Sequence, residues 1–354
     1  MIDLARLLEA ATRRGASDLH LMADGPPRIR CTGDLEVLEE EPLEPEALAE
    51  ALGAIMPEFA HAQFEAEDGT DFAYTARGTG RFRVNVMRQF SGIGAVFRWI
   101  PDEVQSLESL GLPEVLEQFA LQTHGLVLVT GKTGSGKSTT LAAMIDAINR
   151  RRRGHIVTIE DPVEFVHTRK RSLVSQREVG RHTPAFADAL RSALREDPDV
   201  IMVGELRDLE TMGLAVTAAE MGILVFGTLH TAGAVSAIDR LVNTFPAKRQ
   251  AQVRNMVSTS LQGIVSQQLL RRADGTGRVL AAEVLVNNHA VGNMLREGKT
   301  EQLENVIRGG ALQGMVSMDV SIQRLLDAGL VSAQEAYAAA LDKSRFERAA
   351  GERS

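Results

Sequence analysis

The sequence reads Gly131-Lys-Thr-Gly-Ser-Gly-Lys-Ser-Thr139 directly after the apolar run Leu126-Val-Leu-Val129. It fits the phosphate-loop pattern G-x-x-x-x-G-K-[ST], and apolar residues at helical spacing follow it between residues 141 and 148. A strand, a glycine-rich turn and a helix form the context that this pattern requires. Turn N–H groups and a positive helix N-terminus then surround a polyphosphate. We therefore predict a nucleotide-binding site.

The residues of this loop have distinct predicted tasks. The Lys137 ammonium is expected to reach the β- and γ-phosphates, and the Ser138 hydroxyl to ligate Mg²⁺. The full predicted nucleotide-binding set is Gly131, Thr133, Gly134, Ser135, Gly136, Lys137, Ser138 and Thr139.

Bulk composition limits the classes of function. The chain has 354 residues, 44% hydrophobic and 24% charged, which suits two globular domains. A net charge of −8 argues against a dedicated nucleic-acid binder, and the single Cys31 excludes a disulfide framework or a cysteine-rich zinc site. Because no signal peptide or apolar spanning run is visible, we expect a cytoplasmic protein that reaches membranes through partners.

Hydrophobic patterning predicts two domains. Residues 1–98 read as a small mixed domain and residues 99–111 as a linker. From 112 to 354 strands alternate with helices, as in a mostly parallel α/β sheet. The predicted strands of this sheet are 126–130, 155–159, 200–203, 224–228 and 279–285, and the helices after it are 287–297, 300–308, 317–328 and 332–341.

A second motif runs from Asp197 to Asp208. The buried strand Val200-Ile-Met-Val203 ends at Gly204, and ligands bind beyond the carboxyl ends of strands in open α/β sheets. Glu205 is therefore expected beside the phosphate loop, where its carboxylate can hold the water shell of Mg²⁺. An acidic residue in a surface turn is the alternative.

Two further strands deliver polar residues to the same sheet edge. Ile156-Val-Thr-Ile159 is followed by Glu160 and Glu164, either of which would orient and deprotonate an attacking water. Spacing alone does not choose between them, and an acidic helix start is the alternative. The strand 224–228 leads to His230 and Thr231, where a γ-phosphate-sensing role and a structural role are equally favoured.

Some arginines stand out from the ordinary surface charges. Arg81, Arg83 and Arg98 alternate along strands of the first domain, and such residues supply cations to nucleotide in ring-shaped ATPases; a solvated strand face is the alternative. Weaker candidates for site or interface pairing are Arg195, Arg207, Arg240, Arg271, Arg272 and Arg278.

These elements together resemble the motifs of one family. Gly131–Thr139, Thr158-Ile-Glu-Asp-Pro-Val-Glu-Phe165, Asp197–Asp208 and Gly227-Thr-Leu-His-Thr231 are similar to the Walker A, Asp-box, Walker B and His-box motifs of secretion ATPases. These proteins are the hexameric motors of type II and type IV secretion and of type IV pili. Within them the chain looks most like the PilT-type pilus retraction ATPases. This likeness is carried by Ser17-Asp-Leu-His-Leu21, Arg81-Phe-Arg-Val-Asn85, Ser175-Gln-Arg-Glu-Val-Gly180, Ala189-Leu-Arg-Ser-Ala-Leu-Arg-Glu-Asp-Pro198 and Arg296-Glu-Gly-Lys299.

The resemblance implies a PAS-like N-terminal domain, a RecA-like ATPase domain with C-terminal helices, and a homohexamer that hydrolyses ATP with Mg²⁺. It implies Glu164 as general base, Glu205 as the Walker B carboxylate and His230 as the His-box residue. It also implies that Arg81, Arg83 and Arg98 act from the first domain. The expected partner is an inner-membrane pilus platform protein, and the sequence leaves open whether the chain works alone or with a second retraction ATPase. Pilus extension ATPases normally carry an extra N-terminal domain and a four-cysteine zinc site, whose absence favours retraction.

Three departures from the family pattern keep alternatives open. Lys132 stands where proline is usual, and Leu269-Leu-Arg-Arg272 replaces Leu-Leu-Pro-Arg. Gly292 removes an arginine from the segment Ala290–Arg296, which in this family normally reads Ala-Ile-Arg-Asn-Leu-Ile-Arg. An accessory PilU-like paralogue or another secretion ATPase is therefore an alternative, and a nucleic-acid-dependent RecA-like motor is the alternative from a different class. An aromatic content of 4% speaks against the latter.

Overall fold

The computed structural model describes residues 2–31, 33–39, 41–101 and 103–351. Two compact units make up the chain. The first comprises the residues up to Glu103 with two later segments, Asp161–Val166 and Glu178–His182, and the second comprises the rest. Met1, Thr32 and Glu40 of the predicted first domain, Asp102 of the predicted linker, and residues 352–354 of the predicted second domain lie outside the described residues.

The first unit is built around a six-stranded antiparallel sheet with the order β3-β2-β1-β6-β5-β4. Its elements are α1 (Leu4–Arg13), β1 (Asp18–Met22), β2 (Arg28–Cys31), β3 (Asp34–Val37), α2 (Pro45–Gly53), α3 (Glu58–Glu67), β4 (Gly69–Ala76), β5 (Gly80–Gln89) and β6 (Gly92–Ile100). In β5 the residues Phe82, Val84 and Val86 are buried in the core. Arg81 and Arg83 consequently project from the opposite face of the sheet.

The second unit contains a seven-stranded sheet surrounded by helices. Its elements are α4 (Val115–Leu121), β7 (Gly125–Thr130), α5 (Lys137–Arg151), β8 (His155–Glu160), β9 (Leu173–Glu178), α6 (Phe186–Ala193), β10 (Val200–Val203), α7 (Leu209–Glu220), β11 (Leu224–Leu229), α8 (Ala234–Asn243), α9 (Ala247–Ser260), β12 (Leu261–Arg271), β13 (Arg278–Val286), α10 (His289–Glu297), α11 (Leu303–Gly309), α12 (Met318–Asp327), α13 (Ala333–Ala339) and α14 (Glu347–Gly351). Short 3-10 helices occupy Thr300–Gln302, Ala311–Gln313 and Lys343–Arg345.

Strand order places the phosphate loop after an interior strand, β7, of this second sheet. The order is β13-β12-β7-β11-β10-β8-β9, and β12, β7, β11, β10 and β8 run parallel. Every residue of β7, β10 and β11 is buried, as expected for parallel strands covered by helices on both faces. The carboxyl ends of these strands therefore meet at one edge, and the motifs that follow them converge there.

The predicted mixed α/β class is confirmed, and each strand predicted for the second sheet is present. The sequence did not predict β9 and β12. In β12 the pattern is obscured because Ser266 and Gln267 are buried polar residues with tertiary hydrogen-bond partners. In addition, β6 runs to Ile100, two residues into the predicted linker, because Phe82 pairs with Trp99 across the sheet. Within the described part of the chain, none of the helices has the length and apolar character that a bilayer crossing requires.

The buried His167 makes stability depend on pH. Burial lowers the pKa of His167 to about 4, and its ring Nδ1 has no hydrogen-bond partner. Below the ordinary histidine pKa of about 6.5 the unfolded chain takes up a proton that the folded protein resists. Stability is therefore lost as the pH falls from 6.5 towards 4, by about 3 kcal/mol in total for this group.

We predict that His167→Gln removes this loss. Urea unfolding of wild type and variant at neutral pH and near pH 4.5 would measure it, because the two proteins share their other titrating groups. The stability of the wild type should fall by roughly 2–3 kcal/mol more than that of the variant. Parallel pH profiles for the two proteins would contradict the role given to His167.

Candidate active site

The phosphate loop has the strand, turn and helix that its sequence predicts. It leaves β7 at Gly131 and enters α5 at Lys137. Gly131 has φ 144°, and a Cβ there would lie 2.4 Å from both the Gln267 carbonyl oxygen and Ser135 Oγ. Gly134 and Gly136 also have positive φ, at 78° and 90°. The loop thus depends on glycine, because a side chain would be strained in this backbone and would meet neighbouring atoms at Gly131.

Lys137 closes the loop upon itself. Its side chain is buried, and Nζ donates hydrogen bonds to the carbonyl oxygens of Gly131 at 2.8 Å and Lys132 at 3.1 Å. The Lys132 side chain is exposed, and the contact uses its backbone carbonyl, a group that proline also has. Because the bonded groups are backbone oxygens, phosphate oxygens of a nucleotide would be equivalent acceptors for the same ammonium.

Several hydroxyls at this edge suit a polar ligand. The oxygens Thr130 Oγ1, Ser135 Oγ and Thr231 Oγ1 are buried without a hydrogen-bond partner, which is costly unless a ligand provides one. Ser138 is exposed and Thr139 half-buried in the first turn of α5. Among the described residues no group of three or more His, Cys, Asp or Glu side chains would hold a metal. A Mg²⁺ on Ser138 and Glu205 would therefore need phosphate and water oxygens as its other ligands.

Glu205 and His230 lie together beside the loop. Glu205 Oε1 is 3.4 Å from His230 Nε2, and His230 Nδ1 is 3.4 Å from Thr133 Oγ1. Arg207 Nε donates to Glu205 Oε2 at 2.7 Å. The chain of contacts runs from the end of β10, through the residue after β11, to the phosphate loop. One imidazole thus lies between Thr133 of the phosphate loop and the Glu205 carboxylate.

An open cleft of about 420 Å³ lies at this edge of the sheet. It is lined by Glu205, Leu206, Arg207, Leu229, His230, Thr231 and Arg240. The structure thus brings two of the weaker arginine candidates to the site region. The others lie elsewhere: Arg195 is exposed after α6, Arg271 pairs with Arg278 across β12 and β13, and Arg272 bonds Asp274 at 3.1 Å.

A separate cluster of arginine and carboxylate side chains lies in the first unit. Arg83 bonds Asp71 at 2.7 Å and Glu164 Oε1 at 3.1 Å. Although burial lowers the pKa of Arg83, the hydrogen bonds and charges of Asp71 and Glu164 outweigh it and raise that pKa above its ordinary value. Arg81 donates to the Val163 carbonyl at 2.8 Å. Two of the predicted arginines and Glu164 are therefore neighbours, which their separation in sequence did not reveal.

Arg98 faces a different partner. It lies opposite Arg83 in the β5–β6 pairing, but its Nε donates to Asp18 Oδ1 at 2.8 Å, and Asp18 is buried. Arg98 therefore holds β1 and β6 together, whereas Arg81 and Arg83 bind the segment 161–166.

Glu160 and Glu164 have unlike surroundings. Glu160 is buried in the second unit and accepts hydrogen bonds from Thr158 Oγ1 at 2.6 Å and Gln176 Nε2 at 3.1 Å. The side chain of Glu164 is 24% exposed and pairs with a guanidinium in the first unit. Glu164 is accordingly the carboxylate with access to solvent, while Glu160 is enclosed by neighbouring side chains.

Sequence reasoning missed Glu178, which fixes the segment that carries Glu164. Its buried carboxylate accepts the Val163 N–H at 3.0 Å, and the Val163 carbonyl accepts from Arg81. Both the N–H and the carbonyl of Val163, the residue before Glu164, are thus hydrogen-bonded. Glu178 stands in the family-like stretch Ser175–Gly180, which was the available signal, but the stretch gives no contact partner.

The model of the family described as "Type II/IV secretion system protein" matches residues 1–326 of the chain. The chain is 50% identical over 335 residues to "Type IV pilus retractation ATPase PilT" of Pseudomonas aeruginosa, covering 95% of this chain and 97% of that protein. It is 40% identical over 337 residues to "Type IV pilus ATPase PilU" of the same organism, covering 95% and 88%. A crystal structure of "the Pilus Retraction Motor PilT and Bound ADP" superposes with a TM-score of 0.88 at 45% identity, covering 98% of this chain and all of that one.

We predict that Glu178→Ala loosens the backbone at Val163. Loss of a hydrogen bond to a charged group costs about 1.5–3 kcal/mol, which should speed amide exchange at Val163 by roughly 10- to 100-fold. Glu178→Gln keeps an acceptor oxygen and should retain most of the protection. Hydrogen exchange of both variants measures this, and equal protection in wild type and Glu178→Ala would contradict the contact.

Proposed function

Because this chain belongs to the type II/IV secretion system protein family, we propose that it is a hexameric ATPase motor that powers retraction of type IV pili. The comparisons confirm the secretion ATPase family and the ATP hydrolase class that the motifs predicted. The observation that carries the proposal is the likeness to a retraction ATPase over nearly the whole chain, with the phosphate loop, Glu205 and His230 brought together at one sheet edge.

In this proposal the phosphate loop holds ATP. Backbone N–H groups from Gly131 to Thr139 surround the phosphates, and Lys137 exchanges its two carbonyl acceptors for phosphate oxygens. Ser138 and Glu205 hold Mg²⁺, whose charge offsets that of the phosphates. His230, which bridges Glu205 and Thr133, senses whether the γ-phosphate is present.

Glu164 acts as the general base. Its access to solvent supports this role, since a base must meet water. Glu160 is enclosed by Thr158 and Gln176, which supports a structural task for it. Arg81, Arg83 and Arg98 supply positive charge from the first unit, with Arg98 acting through the strand pair that it stabilises.

Family membership supports the larger assembly that we propose. A PAS-like domain at 1–98, a linker at 99–111 and a RecA-like domain at 112–354 would move relative to one another during hydrolysis. Six subunits form a ring in the cytoplasm, peripheral to the inner membrane at the pilus base. The motion is passed to an inner-membrane platform protein, by this chain alone or together with a second retraction ATPase.

An accessory PilU-like role is the second candidate, and Gly292 favours it. This residue is buried in α10, and a Cβ there would lie 3.2 Å from the Ser258 carbonyl oxygen. A side chain at this position would need the Ser258 carbonyl to shift by a few tenths of an ångström. Glycine thus fits this close contact between α9 and α10, where retraction ATPases normally have a cation.

Single substitutions separate the proposed roles. Glu164→Gln and Glu205→Ala should lower ATP turnover about 100-fold or more while ATP still binds. Lys137→Ala should lose ATP binding itself. As the matched carboxylate control, Glu160→Gln should have a much smaller effect on turnover. Hydrolysis and equilibrium binding measured together test this; full turnover in Glu164→Gln would remove Glu164 from the reaction.

Pilus number tests the biological role. A deletion strain should carry excess surface pili in electron micrographs, because extension continues without retraction. Wild type should restore the normal number, and Lys137→Ala should not. Bald cells would indicate an extension motor, and unchanged pili would favour the accessory role suggested by Gly292.

A further inference from the structure

Two arginine-rich segments that are distant in the sequence meet at the C-terminal end of α5. We define the basic patch by its seven cations, which are Arg150, Arg151, Arg152, Arg153, Arg169, Lys170 and Arg171. Asn149 joins the segments: it is fully buried, its Nδ2 donates to the Thr168 carbonyl at 2.8 Å, and its Oδ1 accepts the Lys170 N–H at 3.1 Å. Ser172 Oγ adds a bond to the Arg152 carbonyl at 2.7 Å. The patch is therefore a fixed feature of the fold.

Positive charge in the patch exceeds the negative charge available to pair with it. Arg150 and Lys170 share Asp146, Arg151 pairs with Glu117, and Arg152 pairs with Asp199. Seven cations thus meet three carboxylates, a local surplus of four on a chain whose net charge is −8.

Three guanidiniums carry most of this surplus. Arg153, Arg169 and Arg171 are exposed and make no salt bridge within the part of the chain that the structure describes. Holding these like charges together on one fixed surface is unfavourable unless an anion is bound there.

Exposed leucines lie at the margin of the patch. Leu173 is 47% exposed and follows Arg171 by two residues, with its N–H bonded to the Gly154 carbonyl. Leu121 is 57% exposed and precedes Gln122, whose carbonyl accepts from Arg152. Cations beside exposed apolar side chains match a surface that has negative headgroups above an apolar interior.

We propose that the basic patch binds an anionic phospholipid membrane directly. The arginines contact lipid phosphates, and Leu121 and Leu173 enter the headgroup boundary. The patch lies at the end of α5 opposite the phosphate loop, about 20 Å away along the helix axis, so membrane contact leaves the loop accessible. In a ring of identical subunits the patches face the same side and bind together. The inference is independent of pilus retraction, and it replaces the expectation that the chain reaches membranes only through partners.

Vesicle binding by the full chain tests the proposal. Sedimentation with phosphatidylcholine vesicles, alone or mixed with phosphatidylglycerol, should show strong binding only to the anionic vesicles, weakened by salt. At about 1 kcal/mol for each arginine near the surface, neutralising Arg153, Arg169 and Arg171 together to Gln should weaken binding roughly 100-fold. Equal binding to both vesicle types, or unchanged binding by this triple variant, would overturn the proposal.

Matched controls separate the patch from net charge and from other anions. The triple variant Arg14→Gln, Arg28→Gln, Arg77→Gln removes three exposed first-unit arginines that form no salt bridge among the described residues, and it should bind as wild type does. A comparable loss in this control would overturn the assignment to the patch. Vesicle-free ATP turnover should be unchanged in both triple variants, which checks folding. Displacement of anionic vesicles by polyglutamate or duplex DNA at equal charge concentration would overturn the lipid assignment in favour of an acidic protein or a nucleic acid.

Discussion

The second unit depends on the close approach of backbone at Gly131. The chain leaves the buried strand β7 there with no room for a side chain, because the Gln267 carbonyl of β12 and Ser135 stand where a Cβ would be. This contact fixes how the phosphate loop turns back towards α5. The buried polar side chain of Gln267 in β12 has a role in the same region. It donates to Thr140 of α5 at 2.7 Å and so joins β12 to the helix that follows the loop.

The site also uses polar contacts to connect strand ends. Thr228 of β11 donates to the Gly204 carbonyl after β10, and Leu206 N–H donates to the Thr228 carbonyl at 3.0 Å. These bonds hold Glu205 and His230 in neighbouring turns. In the first unit Arg83 is held between two carboxylates and Val163 between Arg81 and Glu178. Both sets restrict side-chain motion before any ligand binds, which is the arrangement that catalysis by positioning requires.

Ion pairing differs between the two ends of α5. At the sheet edge that carries the phosphate loop, Glu205 pairs with Arg207 of the same unit. At the other end of α5 the basic patch has too few acidic partners. Helix α5 thus has the phosphate loop at one end and the basic patch at the other. The negative net charge of the chain gives no indication of the basic patch.

The sequence by itself determined the phosphate loop, the strands that end in Glu205 and His230, and the family, because each is written in contiguous residues with a local period. It also singled out Arg81, Arg83 and Glu164 as candidates. Only the tertiary structure decided which side chains become partners. Arg83 bonds Asp71 and Glu164, Glu178 accepts the Val163 N–H, and Asn149 joins the two basic segments. These partners are far apart in the sequence and meet only when the chain packs. A local sequence pattern therefore does not predict which of these side chains come into contact.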